Sequence, residues 1–409
     1  MSTSSMNRYG MTDEVRELRR RVKDFVDNEV IPLENRLDEG YDQGPGSAGE
    51  IEADKLMEEL KGEAKRRGLW ALGHPTEIGG GGLPFMSFVY LNELIGRCHY
   101  AQWAVGSVSM QDSVMLHLYG SAEQKERFLL PMVRGEIYPS VGLTEPEVAG
   151  SDPTQMRTSA ILDGDEWVIN GHKWFTSNAS RAAYTTCFAI TEPEADGHRK
   201  FSAIIVPTDT TGYNIVRAVP TMGHIGGQHC EVLYDNVRVP RDNLLGDRGE
   251  GFTIAQKRLG PGRIFHCMRW LGQAQRAFEL MVDRANTRWA HGSYLSEKGE
   301  IQRWIAESAA EIQAARLMTL DAAATMDSGD EARVAIALIK FWGATMLHNV
   351  IDRAIQVHGA LGVTSDTPLE RMYREARYAR IYDGPDEVHR MTVARRLSRN
   401  PASAPWAVD

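Results

Sequence analysis

The stretch RIYDGPDEVHR, residues 380–390, sets three carboxylates, Asp383, Asp386 and Glu387, close together and follows them with His389 and Arg390. Gly384-Pro385 breaks the run directly after the first acid and predicts a forced turn. A carboxylate presented on such a turn can serve as a general base if it is held close to the proton it removes. The alternative is a solvated loop. Asp386 and Glu387 read as ordinary polar residues at a helix N-terminus, where the dipole favours acids, with Pro385 at the first helical position. Arg390 reads as a partner in a structural ion pair.

Two other stretches carry polar groups in useful patterns. VGLTEPEVAGSDP (141–153) offers the hydroxyls of Thr144 and Ser151 among glycines that let backbone N–H groups approach a ligand. KWFTSNAS (173–180) places aromatic rings beside consecutive hydroxyls, which suits one wall and one polar edge of a flat conjugated ligand. Taken alone, the first is equally an ordered loop entering a sheet, and the second a core strand ending in a Thr-Ser-Asn turn.

The elements that must position these stretches follow an α, β, α order. Val15, Leu18, Val22, Phe25 and Val26 recur at helical spacing behind a candidate cap at Thr12, and a charged helix is expected over 55–68. HPTEIGGGGLP (74–84) reads as a flexible turn between helices. A phosphate cradle would need a strand before it, and a helix precedes it instead. From Pro139 the pattern turns to strands. WVINGHKWF (167–175) reads as a hairpin around Asn170-Gly171, with further strands at 184–190, 202–206 and 230–239 and turns at Pro207, Gly212 and Asp235-Asn236. Beyond Gly251, long helices are expected over 269–290, 299–326 and 330–361, with a fourth after Pro385, giving a four-helix bundle.

Composition bounds the function. The chain has 409 residues and a formal charge of −9, which argues against nucleic acid as the main ligand. Its four cysteines, Cys98, Cys187, Cys230 and Cys267, form no CxxC pair, so neither a disulfide framework nor a metal site is expected. No apolar run reads as a membrane span. The polar start, MSTSSMNRYGMTDE, lacks the features of a signal or transit peptide, and PWAVD at the end is no peroxisomal address, so a cytoplasmic protein is expected.

The motifs LTEPEVAGSD (143–152), NGHKWFTSNA (170–179), LYDNVRVPRDNLLGDRGEGF (233–252), QVHGALG (356–362) and IYDGPDEVHRMTVAR (381–395) resemble the acyl-CoA dehydrogenase family. The resemblance runs from about residue 12 to about residue 397. Within the family it is similar to the branch of members ten and eleven. It implies an α+β fold: an N-terminal helical domain (1–137), a middle β-barrel-like domain (138–247) and a C-terminal four-helix bundle (248–409). It also implies FAD, an acyl-CoA substrate, an electron-transfer flavoprotein as acceptor, a role in fatty acid β-oxidation, and a homodimer or homotetramer.

Residue by residue, the resemblance assigns Asp383 as the base that removes the α proton of the thioester, with flavin N5 taking the β hydride. Most of the family has Glu there. Some branches place the base at the position of Gly262, which glycine cannot fill. Leu143, Thr144, Gly150 and Ser151 match the loop along the flavin, and Phe175, Thr176 and Ser177 match the segment on its other face, with the Ser177 hydroxyl toward N5. Arg288, Gln356 and Gly359 match positions that reach the FAD of a neighbouring subunit, although His291 replaces the family's Phe beside that arginine. Pro385 and Glu387 border the cofactor, and Ser151, Arg263 and Gly384 border the substrate. Three rival readings share this fold: a nitroalkane-oxidase-like flavoenzyme using Asp383 as base, a flavin monooxygenase, and a non-catalytic scaffold. Asp383 counts against the monooxygenase, and intact flavin motifs count against the scaffold.

Overall fold

The computed structural model describes residues 11–405. The first ten and last four residues, within the terminal stretches read above for address signals, lie outside it. The chain forms two compact units, each assembled from separate segments. One comprises the segment ending at Pro32, Pro84–Gln102 and everything from Gly262 onward; the other comprises Leu33–Leu83 and Trp103–Pro261.

The second unit holds the strands: β1 (Tyr138–Gly142), β2 (Ser159–Asp163), β3 (Glu166–Ser177), β4 (Ala182–Ile190), β5 (Phe201–Pro207), β6 (Tyr213–Thr221), β7 (His224–Pro240) and β8 (Leu244–Leu245). They pair in the order β6-β7-β3-β2-β4-β5-β8, with β1 running parallel to β4. Alternation along β4 and β5 sorts their side chains onto two faces. Cys187, Ala189, Ile204 and Val206 join Trp167, Ile169, Val232 and Tyr234 in one core. Tyr184, Phe188, Ala203 and Ile205 face a second core, closed by Leu116, Phe128, Leu129 and Met132 from the helical segments of the same unit.

Two local expectations are corrected here. Asn170-Gly171 is not a hairpin turn, because β3 runs through it. The register shifts at that point against β7, where Asn170 and Asn236 bond each other: Asn236 N donates to Asn170 Oδ1 at 2.9 Å. Asp235-Asn236 is thus the other half of one bulge, with Asn236 at φ 50°. Gly171 is required because a Cβ there would lie 2.2 Å from Thr158 Oγ1. The true turn into β3 lies at Gly164, φ 62°. The glycine run 79–82 is also packed rather than flexible: the amides of Gly80, Gly81 and Gly82 donate to the carbonyls of Pro75, Ala71 and His74.

The first unit is helical. Asp13–Phe25 starts at Thr12, whose hydroxyl accepts from Val15 N, as the sequence predicts. Gly251–Thr287 begins earlier than expected and passes through Pro261 without ending. Arg333–His358 packs on Gly299–Asp327, Leu369–Ala379 and Asp386–Arg399, and the Leu369–Ala379 helix was not foreseen. Among the described residues, Arg333–Val363, the helix expected over 330–361, is long and apolar enough to cross a bilayer, although no run of that length and hydropathy was expected. Two thirds of its apolar window is buried (67%), as befits the central helix of a bundle.

Phe85–Ile95 and Gly251–Thr287 meet backbone to backbone. A Cβ on Gly272 would lie 1.8 Å from Glu93 O, and one on Gly96 would lie 2.3 Å from Arg269 O. Gly272→Ala is therefore expected to cost about 1–3 kcal/mol or more by overpacking, read as a Tm lowered by several degrees. Gly299→Ala, where nothing approaches a Cβ, should leave Tm nearly unchanged.

Candidate active site

The helix Leu369–Ala379 ends just before the acidic motif, and Asp386–Arg399 begins just after it. Between them the chain reverses through two left-handed residues, Asp383 at φ 53° and Gly384 at φ 97°. Asp383 is a non-glycine residue in this region, a conformation that persists only where the surroundings enforce it. The enforcement is visible. Arg263 Nε donates to the Asp383 carbonyl at 3.0 Å, and His389 Nε2 approaches the same oxygen at 3.2 Å. Buried Lys340 donates to Ala379 O at 2.8 Å and to Gly384 O at 3.3 Å, closing the neck of the turn. Burial pulls the Lys340 ammonium down to about 8.

The three acids separate in role. The Asp383 side chain is 18% exposed, and His266 Nε2 stands 3.1 Å from its buried Oδ2, within ion-pair distance but outside hydrogen-bond geometry. Asp386 is not the ordinary polar residue expected. It is buried and bonds Arg380 Nε at 2.7 Å, with Arg390 at 3.7 Å, so it fastens the turn from the helix side. Glu387 is exposed, at 76%, and Arg390 lies 3.7 Å from it. Pro385 is the residue before the first helical position rather than the first one. Trp270 Nε1 donates to Tyr382 Oη at 2.8 Å, and both rings flank His266.

In the sheet unit, the loop after β1 and the end of β3 are brought together. Thr144 Oγ1 donates to Trp174 O at 2.8 Å, and Trp174 N donates to Thr144 O at 3.1 Å. Beneath them, Lys173 Nζ donates to Leu143 O at 3.0 Å and to Glu145 Oε1 at 2.9 Å, and Glu145 also accepts from Arg157 N and Thr158 N. Lys173 and Glu145 are both fully buried, so this pair anchors the loop that carries Leu143, Thr144 and Gly150. Ser151 is exposed at the end of that loop. Past a second bulge, Phe175 sits at φ 50° with its ring 43% exposed. Ser177 Oγ lies 2.8 Å from His229 Nδ1, and burial draws the His229 imidazole down to about 4. Thr176 points inward, and its hydroxyl has no hydrogen-bond partner, so only its backbone can face a ligand beside Phe175.

Arg288, Gln356 and Gly359 lie apart from the Asp383 turn. Gln356 is 16 residues beyond Lys340 on the same helix, about 24 Å along its axis. Gly359, at φ 64°, ends that helix. Arg288 opens a tight hairpin whose turn is His291-Gly292, both with positive φ (48° and 82°), so the altered residue at 291 is part of the turn itself.

Three profiles of one family match the chain: Acyl-CoA dehydrogenase, N-terminal domain, over residues 12–136; middle domain, over 140–237; and C-terminal domain, over 249–398. The chain is 43% identical over 409 residues to the Mycobacterium tuberculosis protein named "Probable acyl-CoA dehydrogenase FadE2", covering 98% of this chain and 99% of that one. It is 40% identical to acyl-CoA dehydrogenase family member 11 of Rattus norvegicus, covering 93% of this chain and 50% of that protein. Among solved structures, a Mycobacterium abscessus protein assigned as an acyl-CoA dehydrogenase superposes with TM-score 0.88 at 37% identity, covering 95% and 99% of the two chains. An acyl-CoA dehydrogenase from Bacillus anthracis complexed with FAD does so with TM-score 0.83 at 28% identity, covering 96% of this chain and 68% of that one. The chain belongs to the acyl-CoA dehydrogenase family. It has that family's fold, a helical N-terminal domain, a middle β-sheet domain and a helical C-terminal domain, and it is an oxidoreductase acting on acyl-CoA.

The family's cofactor is FAD, and the sheet unit fits it: an exposed aromatic ring and an exposed hydroxyl stand beside a glycine-bearing loop held by a buried ion pair. The sequence reading missed Lys173, Glu145, Lys340, His266 and Arg269. A lysine at an inward position of β3, in phase with Trp167 and Ile169, was the available sign of a buried partner. Arg263, His266, Arg269 and Trp270 recur at one-face spacing on their helix.

Lys173→Met strands the Glu145 carboxylate. It should cost about 3–5 kcal/mol and weaken flavin retention, measurable as Tm loss and as FAD lost on gel filtration. A pH effect also follows. His74, His229, His266 and His389 are each drawn from about 6.5 to about 4, chiefly by burial. The unfolded chain therefore binds more protons between those values, and stability falls as pH drops from about 6.5 toward 4. Urea midpoints measured at pH 7 and pH 5 should show this decrease.

Proposed function

We propose that this enzyme introduces the α–β double bond of an acyl-CoA thioester with Asp383 as the base. The observation that carries the reading is the partly exposed Asp383 carboxylate on a left-handed turn whose backbone is held by Arg263, His389 and Lys340. A proton α to a thioester is weakly acidic, so the base must be placed close to that carbon before reaction. Asp reaches one methylene less far than Glu, and the clamped backbone sets where its carboxylate stands. Arg263 commits its Nε to that backbone, which makes it a positioning group for the base as well as a candidate substrate neighbour with Gly384 and Ser151. FAD, when bound, supplies the acceptor for the β hydride.

On the sheet unit, Leu143, Thr144, Gly150, Ser151, Phe175, Thr176 and Ser177 are the proposed cofactor residues, Thr176 through its backbone. Pro385 and Glu387 are retained as cofactor-bordering positions. Arg288, Gln356 and Gly359 are proposed to serve the FAD of a neighbouring subunit in a homodimer or homotetramer. The resemblance is what supports that assignment; Gln356 and Gly359 lie at the end of the Arg333–His358 helix, away from the Lys340 end of the Asp383 turn. An electron-transfer flavoprotein is the proposed acceptor, fatty acid β-oxidation the proposed setting and the cytoplasm the proposed location.

Asp383→Asn should retain FAD and lose flavin bleaching when mixed anaerobically with acyl-CoA. Full activity in that variant would remove Asp383 from the role. Bleaching of the wild type by a nitroalkane and by none of a panel of acyl-CoAs would move the enzyme to the oxidase reading. Ser177→Ala should leave the fold intact and change the flavin spectrum or its reduction rate. If both stay as in the wild type, Ser177 does not contact N5.

A further inference from the structure

We infer that His266 is a positioning residue for the base, kept by Arg269 in the one tautomer that can donate to Asp383. The inference rests on the reading of Asp383 as base. His266 Nδ1 lies 2.8 Å from Arg269 Nη2. A guanidinium only donates, so Nδ1 must accept, and the ring proton then sits on Nε2. That nitrogen is the one 3.1 Å from Asp383 Oδ2. The ring is held between Trp270, stacked at 6.3 Å, and Tyr382, at 4.8 Å, so its plane is set by packing.

The charged and titratable groups facing His266 are Arg269 on its own helix, Asp383 and Tyr382 on the turn, and Lys340 from the Arg333–His358 helix. Burial first, and the neighbouring cations Arg269 and Lys340 next, hold the imidazole neutral, drawing it down to about 4 against the pull of Asp383. Neutrality has a chemical use. An imidazolium beside a carboxylate would lower its proton affinity and weaken it as a base, whereas a neutral N–H orients it at smaller cost. The backbone of Asp383 is fixed by Arg263 and His389, and a small turn of the carboxylate would bring Oδ2, 3.1 Å from His266 Nε2, onto that N–H and fix the side chain as well. The geometry thus supplies the orientation that the shorter Asp needs.

The test uses the FAD-loaded enzyme and anaerobic flavin reduction by its best acyl-CoA across pH 5.5–9. His266→Phe keeps the ring packing and removes the donor. The reduction rate should fall about tenfold to a hundredfold with little change in substrate Kd. His266→Gln, whose amide can donate, should recover much of that loss. Arg269→Met should add a new ionisation on the acid side of the rate profile. Independently of activity, 15N-histidine NMR of the unsubstituted enzyme should show His266 as the neutral Nε2–H tautomer from pH 5.5 to 8. A His266→Phe rate and pH profile like the wild type's, or an Nδ1–H or charged ring at pH 7, would overturn the inference. Asp383→Asn is run alongside: if it stays active the base assignment has failed, whereas an inactive Asp383→Asn with an unaffected His266→Phe fails this inference alone.

Discussion

Lys340 is fully buried and reaches across two carbonyls, Ala379 O at the end of one helix and Gly384 O just before the next. A buried ammonium is costly unless its protons are used, and here they close the loop that displays Asp383. The ammonium also lies over the Trp270 and Tyr382 rings, at 5.2 and 5.1 Å. Asp386 and Arg380 repeat the fastening from the other side. The cluster of charge at 380–390 is thus mostly a device for holding one acid in a strained backbone, with one carboxylate displayed, one spent on the clamp and one left to solvent.

The same logic recurs in the sheet unit. A fully buried ion pair, Lys173–Glu145, sits under the loop whose outer residues are proposed to meet the cofactor. In both units residues proposed to meet a ligand, Asp383 and Phe175, lie at positive φ, and buried charged residues, Lys340 and Lys173, bond the backbone beside them. Preorganisation of this kind removes the ordering cost that a mobile loop would bring to each turnover.

The α, β, α order, the long helices and the stretches of β3, β4, β5 and β7 were legible in the sequence, because periodicity of 3.6 or 2 reports which face is buried. Family motifs made the fold and the class of enzyme, an oxidoreductase acting on acyl-CoA, legible beyond that. What failed was local. Asn170-Gly171 carries the signature of a tight turn, but an asparagine on the facing strand satisfies it within the sheet. The helix expected from 269 starts at Gly251 and runs through Pro261. The glycine run 79–82 looks flexible because the carbonyls that fix it belong to residues 71–75 and carry no side-chain signal. His266 and Lys340 could not be tied to Asp383 from sequence, since more than a hundred residues separate His266 from it and only packing joins them.

The paired bulge of Asn170 and Asn236 has a consequence for how this chain tolerates changes in length. Side chains on β3 alternate faces, so adding or deleting one residue between Ile169 and Lys173 would put Lys173 out of phase with Trp167 and Ile169 and turn it away from Glu145. The asparagine pair works as a ratchet tooth, engaging at one offset and at no other. Insertions are expected to be tolerated better at the turns outside it, such as Gly164 and Gly197, where a Cβ meets nothing.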